Sequence, residues 1–436
     1  MALLVLVAIV APAFAQEAAQ VAPEASTGWA DKPRVTAKRH MVVAANPIAA
    51  DAGLEILRAG GNALDAAIAT VLVLGIVEPQ SSGLGGGAFL LVHDAQANKL
   101  TTYDGRETAP TMAAPDRFLR ADKPLGFREV VNSGLSVGVP GLVRALELAH
   151  QSHGRLPWSQ LFEPAVKIAR DGFPVSARLN GLLTWYGASR FSARARAHYF
   201  DEAGNARPVG YVLKNPELTT TLARIAAWGA SAFYTSGIAE QMVSAVRGAA
   251  PNPGDLTLED LHSYRAVTRE PVCVEYRRRR VCGMGPPSSG GITVAQVLKL
   301  IEPFRSVQGG EARMSVPALH IIAEAEKLAF ADRNFYLADP DFADIPKGLL
   351  DETYIASRRR LIDETKAMQK ADPGRPPGSR ADDNGLDATV EREGTTHLSI
   401  IDQDGNAVSM TATIEGAFGS GLWAAGFLLN NELTDF

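Results

Sequence analysis

Cysteine is nearly missing from this chain: 436 residues contain only Cys273 and Cys282. Their spacing fits neither a zinc site nor a CxxC redox pair, which sets both chemistries aside. Excess basic charge is also missing. Lys and Arg number 43 against 48 Asp and Glu, a net charge of -5, and this leaves no field for nucleic acid. Beyond the first residues no apolar run reaches membrane-spanning length, and no internal repeat is present. At 46% apolar content the chain can bury a large core, and its length suggests two or three domains at about 150 residues each.

What is present begins with "MALLVLVAIVAPAFAQ", a short apolar run closed by Ala13-Phe14-Ala15. It reads as a signal peptide over residues 1–15, with Gln16 opening the mature chain in the periplasm or outside the cell; a buried N-terminal helix is the alternative. No Lys or Arg precedes the run, where a signal peptide ordinarily has one. Between the cysteines, "VEYRRRRV" can fold back with a two-residue turn at Arg277-Arg278, placing Cys273 opposite Cys282. In an oxidising compartment that permits a disulfide; two free, half-buried thiols is the alternative.

Apolar periodicity predicts two helices in "NPIAADAGLEILRAGGNALDAAIATVLVLGIVEPQ". The first stops at Gly60-Gly61, and the second, Ala63 to about Val77, is capped by Asn62 and apolar nearly all round. A glycine turn then feeds a strand pair, Phe89–His93 and Leu100–Tyr103. From Pro140 to about Tyr336 the pattern is mostly helical. Residues 364–394 change character, rich in Pro, Gly, Asp and Arg without apolar period, and read as a mobile surface segment or linker.

After that segment, "TTHLSIIDQDGNAVSMTAT" gives two alternating runs around Asp404-Gly405, a hairpin signal. With a Gln403-Asp404-Gly405 loop, Asp402 pairs with Asn406 and Thr395 faces Thr413 across the ladder. Threonine suits strands for ordinary reasons, but two facing hydroxyls at a strand's first residue also suit chemistry. If the Gly394–Thr395 bond is cut, Thr395 gains an α-amine of pKa about 7.7–8.0, a base for its own weakly nucleophilic hydroxyl.

Rival motifs are weaker. Gly134-Leu135-Ser136-Val137-Gly138 matches GxSxG, yet lacks the strand-to-helix turn that the nucleophile elbow needs. Gly83–Gly87, "GLGGG", follows a helix and precedes a strand, the reverse of a dinucleotide-binding turn, so its glycines read as close backbone packing. His397 shares a strand face with Thr395 and reads as a packed strand histidine, with a base as the alternative. Arg277–Arg280 reads as a solvated hairpin tip.

Across nearly the whole mature chain the sequence resembles the γ-glutamyltranspeptidases, which are N-terminal-nucleophile hydrolases. The stretches that carry this include "VEPQSSGLGGGAFLLV", "YDGRETAP", "PPSSGGIT", "LAFADRNFYLADPDF", "TTHLSIIDQDGNAVSMTATIEGAFGSG" and "LNNELTDF". The resemblance implies an α+β fold, a four-layer αββα sandwich. It implies a proenzyme cut between Gly394 and Thr395 into a large part, 16–394, and a small part beginning at 395, which stay associated. It implies transfer of a γ-glutamyl group from glutathione to water, an amino acid or a dipeptide.

By motif, Thr395 is the nucleophile and Thr413 its partner. Arg106 would hold the substrate α-carboxylate, while Glu432 and Asp435 would receive the α-ammonium. Glu415 stands where many members have asparagine and others glutamate. Nothing in the motifs or the resemblance calls for a cofactor or a metal ion. Family members continue past the position of Phe436 with a paired serine and an oxyanion-binding glycine pair, so the expectation is a fragment or a shortened protein. Cephalosporin or glutaryl acylases, γ-glutamyl-polymer transferases and an inactive remnant stand as alternatives.

Overall fold

The computed structural model describes residues 34–308, 315–380 and 394–435. The expected signal peptide, the second half of the linker and Phe436 lie outside them. The centre is a six-stranded antiparallel sheet of β1 (Met41–Val43), β2 (Gly87–Asp94), β3 (Lys99–Gly105), β4 (Val267–Arg269), β5 (Thr395–Ile401) and β6 (Ala407–Thr413). The strand order is β1-β5-β6-β2-β3-β4, so β5 and β6, late in the chain, sit inside a sheet whose first strand opens at Met41.

One face of that sheet is core. Thr396, Leu398 and Ile400 of β5, Val408, Met410 and Ala412 of β6, and Ala88, Leu90 and Val92 of β2 are all buried, following the period of two. They pack on α2 (Ala63–Val77), which is buried along almost its whole length behind α1 (Pro47–Arg58). The start of α2 is fixed twice over. Asn62 and Asp65 form a reciprocal capping box, and Asp402 of the β5–β6 turn accepts from the Ala63 N–H at 3.0 Å. The opposite face of the sheet is open, with Val43 56% and Ile401 53% exposed. Of the four layers implied by the resemblance, the described residues supply one sheet and its helical layer.

A second lobe has its own small cores, built on helices Gly290–Ile301, Val316–Tyr336 and Glu352–Arg359. Against it lies a two-stranded ribbon, Val272–Tyr276 with Arg279–Gly283. The ribbon turns at Arg277-Arg278, both at positive φ as a type I′ turn needs, and a disulfide joins the directly opposed Cys273 and Cys282.

Residues 364–380 correct the linker expectation. Although they lack regular structure, this second lobe holds them by hydrogen bonds. Met368 N–H donates to Glu324, Gly374 N–H to Asp332, and Arg358 donates to the Asp372 carbonyl, each at 2.8 Å. Polar composition misled here because the anchors are buried acids and an arginine distant in sequence.

Candidate active site

The β5–β6 hairpin sets the register of the site. Its loop is Gln403-Asp404-Gly405, with Gly405 at φ +87° as a three-residue hairpin requires, and Asp402 N–H bonds the Asn406 carbonyl. Thr395 therefore lies opposite Thr413, and Thr413 in turn lies opposite Gly87 of β2. Close backbone packing at the strand ends is built on glycine. A Cβ on Gly86 would sit 1.9 Å from the Thr413 carbonyl oxygen, and one on Gly394 would sit 2.1 Å from that of Glu415.

The Thr395 and Thr413 hydroxyl oxygens are 3.3 Å apart. Thr413 accepts from the Glu415 N–H at 2.8 Å, and its oxygen lies 3.4 Å from the Gly394 carbonyl oxygen and 3.5 Å from that of Glu415. A hydroxyl has one proton and two lone pairs. Thr413 can thus accept from both the Glu415 N–H and the Thr395 hydroxyl while its own proton points at one carbonyl. These O–H···O contacts are long for hydroxyl hydrogen bonds.

His397, two residues along the same face, bonds elsewhere. Its Nδ1 lies 2.8 Å from the Thr411 hydroxyl, and its Nε2 lies 3.3 Å from the hydroxyls of Ser399 and Ser409. Burial holds its pKa below the ordinary imidazole value.

A charged cluster adjoins the threonines. Arg106, just past the end of β3, contacts Glu432 at 2.6 Å and Asp435 at 3.3 Å through one guanidinium nitrogen. Its backbone is fixed on both sides: its N–H donates to Asp104 at 2.8 Å, and its carbonyl accepts from the Tyr264 hydroxyl at 2.7 Å. Glu415, at φ +70°, accepts from the Asn431 amide at 2.6 Å. Burial, reinforced by Asp435 and Glu432, pushes the Glu415 carboxyl up to about 8. Burial also raises Glu432 to about 7; Arg106 pulls it down and Asp435 pushes it up.

Three residues without a role in the sequence reading belong here. Glu107 is buried and, among the described residues, neither carboxyl oxygen reaches a donor of another residue; burial and Glu432 hold its pKa well above the carboxylate range. Asn430 is fully buried and donates to the Gly85 and Gly138 carbonyls at 2.8 and 2.9 Å, while its Oδ1 accepts from the Gly138 and Glu432 N–H groups. Asn431 orients Glu415 and accepts from the Gly416 N–H. The available signal was the adjacent Asn430-Asn431 pair beside the acids, since paired amides can satisfy many backbone groups at once.

The structure thus brings Thr395, Thr413, Glu415, Arg106, Glu432 and Asp435 into one neighbourhood, and Gly85, Gly86 and Gly87 of the GLGGG motif pack against it through their backbone. Ser136, the GxSxG serine, is buried in a 3₁₀ turn and bonds the Val131 and Ser133 carbonyls. One guanidinium faces three carboxyl groups, Glu107, Glu432 and Asp435, and Glu415 stands beside the last two. That composition suits a ligand end carrying an ammonium and a carboxylate together.

Residues 49–436 match the family model described as gamma-glutamyltranspeptidase. The chain is 38% identical to the glutathione hydrolase proenzyme of Escherichia coli strain K12, over 97% of this chain and 71% of that protein. Its fold is similar to the crystal structure of Helicobacter pylori gamma-glutamyltranspeptidase, at TM-score 0.74 and 30% identity, covering 78% of this chain and 97% of that one. It is also similar to a cephalosporin acylase from Bacillus halodurans, at TM-score 0.79 and 29% identity, covering 94% and 73%. The chain belongs to the γ-glutamyltranspeptidase family, within the N-terminal-nucleophile hydrolases.

Proposed function

We propose that the chain is a γ-glutamyltransferase and glutathione hydrolase proenzyme, with Thr395 as the residue that both cuts the chain and carries the γ-glutamyl group. The single observation behind this reading is the Thr395–Thr413 hydroxyl pair beside the Gly394 carbonyl. In the uncut chain the Thr395 hydroxyl attacks that carbonyl, and the peptide nitrogen leaves as the Thr395 α-amine. The resulting ester is opened by water, and Thr413 can donate to the developing oxyanion.

The freed amine then serves as base for the Thr395 hydroxyl. Attack on a γ-glutamyl amide such as glutathione releases the amine and leaves a γ-glutamyl ester on Thr395. Water or the amine of an amino acid or peptide takes up the acyl group. Arg106 holds the donor's α-carboxylate, Glu432 and Asp435 take its α-ammonium, and Glu415 stands beside them. A glutaryl acyl group lacks the ammonium, so the acidic pair Glu432 and Asp435 beside Arg106 favours a γ-glutamyl donor over an acylase substrate.

After cleavage the piece that begins at Thr395 remains between β1 and β2 of the other piece, hydrogen-bonded on both sides. This supports a stable association of the two fragments. Export rests on the N-terminal apolar run; among the described residues no helix is long and apolar enough to cross a membrane. The test is chemical. Acid quenching during glutathione turnover should trap a γ-glutamyl ester on the peptide beginning at Thr395, and an adduct on any other residue overturns the assignment.

A further inference from the structure

The ribbon at Val272–Gly283 is remote in role from the site above, and its charge is anomalous in a chain of net charge -5. Arg277 is tied inward: its N–H donates to Glu302 at 3.0 Å, and its guanidinium bonds the Val307 carbonyl and lies 4.9 Å over the Tyr276 ring. The next three residues, Arg278, Arg279 and Arg280, are exposed, and among the described residues no carboxylate pairs with them.

More cations continue the patch. Arg359 donates to the Lys299 and Leu300 carbonyls, and the Lys299 ammonium, paired with Glu302 at 3.0 Å, also reaches the Glu275 carbonyl, so the end of helix Glu352–Arg359 adjoins the ribbon. Arg360 follows it and Arg305 lies near the Val307 anchor; both are exposed, and among the described residues neither has a carboxylate partner. Leu361, beside Arg360, is 56% exposed.

We propose that this arginine-tipped ribbon and its flanking cations form a docking surface for an anionic phospholipid membrane. The shape supports that partner. The tip is a two-residue turn that ends a ribbon closed by the Cys273–Cys282 bridge, so its exposed arginines sit together at one projecting end of the chain rather than along a strand's length. Guanidinium groups bind phosphates through paired N–H donors, and a tip held rigid in advance loses little freedom on docking. Each basic residue at an anionic leaflet raises partitioning by about fivefold, so reversing three charges should weaken it by roughly a hundredfold or more.

The full chain should cosediment with vesicles of phosphatidylcholine plus phosphatidylglycerol and not with phosphatidylcholine alone. Binding should vanish in about 1 M salt, where the Debye length is ~3 Å. The triple variant Arg278→Glu, Arg279→Glu, Arg280→Glu should lose it, and the matching triple alanine variant should show an intermediate loss. A control that reverses Arg58, Arg128 and Arg170, exposed elsewhere, changes net charge equally and should bind as wild type. Equal binding to both vesicle types, equal loss in the control, or binding to heparin without binding to anionic vesicles overturns the proposal.

Discussion

The hydroxyl oxygens of Thr395 and Thr413 face each other at 3.3 Å across adjacent strands, and the Thr413 oxygen is 3.4 Å from the Gly394 carbonyl. Thr413→Ala removes the group that can orient the Thr395 hydroxyl and donate to that carbonyl. Loss of such a bond costs about 1–3 kcal/mol, so self-cleavage should slow by roughly 10–100-fold. Thr413→Ser keeps the hydroxyl and should cut at nearly the wild-type rate. Gel time courses on freshly purified chain measure both, and cleavage of Thr413→Ala at wild-type rate contradicts the role.

Gly394 is tightly held by a neighbouring backbone. A methyl group there meets the Glu415 carbonyl oxygen at 2.1 Å, a contact that backbone must move to relieve. Gly394→Ala should therefore displace the scissile bond and slow cleavage at least as much as Thr413→Ala. A variant that matures normally would show that the turn is free to shift.

Arg106 contacts the carboxyl groups of Glu432 and Asp435 and, in the proposed reaction, the donor's α-carboxylate. In cleaved enzyme Arg106→Ala should lower kcat/KM for a γ-glutamyl anilide by on the order of 10²-fold. Lysine restores the charge without the planar fork and should recover part of the loss. An unchanged kcat/KM in Arg106→Ala removes the arginine from the donor site.

The acid wall predicts a pH dependence of stability. Glu432 and Glu415 are raised to about 7 and about 8, chiefly by burial, from an ordinary value of 4.5. Across that window the unfolded chain holds fewer protons than the folded one. Stability is therefore fully present below about 4.5 and declines as pH rises through 7 to 8. The melting temperature of ligand-free, uncut Thr395→Ala protein should fall over that range, and adding Glu432→Gln should flatten the fall. A melting temperature that rises over the window in both proteins contradicts the carboxyl assignment.

Much of this was legible in the sequence because the signals are local. Asn62 and an unbroken apolar run mark both ends of α2, and Asp404-Gly405 fixes the hairpin register that sets Thr395 against Thr413. The strand order was not legible from periodicity. Pairing of β1 with β5 joins Met41 to Ile401, and nothing near either residue announces it. The supporting roles of Asn430, Asn431 and Glu107 were hidden for the same reason: each depends on backbone groups or charges brought together only by folding. Residues 364–380 show the converse, since polar composition conceals anchoring by Asp332, Glu324 and Arg358.

In the proposed maturation the peptide bond between Gly394 and Thr395 is cut by the Thr395 hydroxyl itself. Intact-mass and N-terminal analysis of purified wild-type and Thr395→Ala chains tests it directly. The account predicts a wild-type fragment that begins with Thr395, slower appearance of a fragment beginning with serine in Thr395→Ser, and a single uncut, inactive chain in Thr395→Ala. A wild-type chain that keeps the Gly394–Thr395 bond intact while hydrolysing a γ-glutamyl anilide contradicts it.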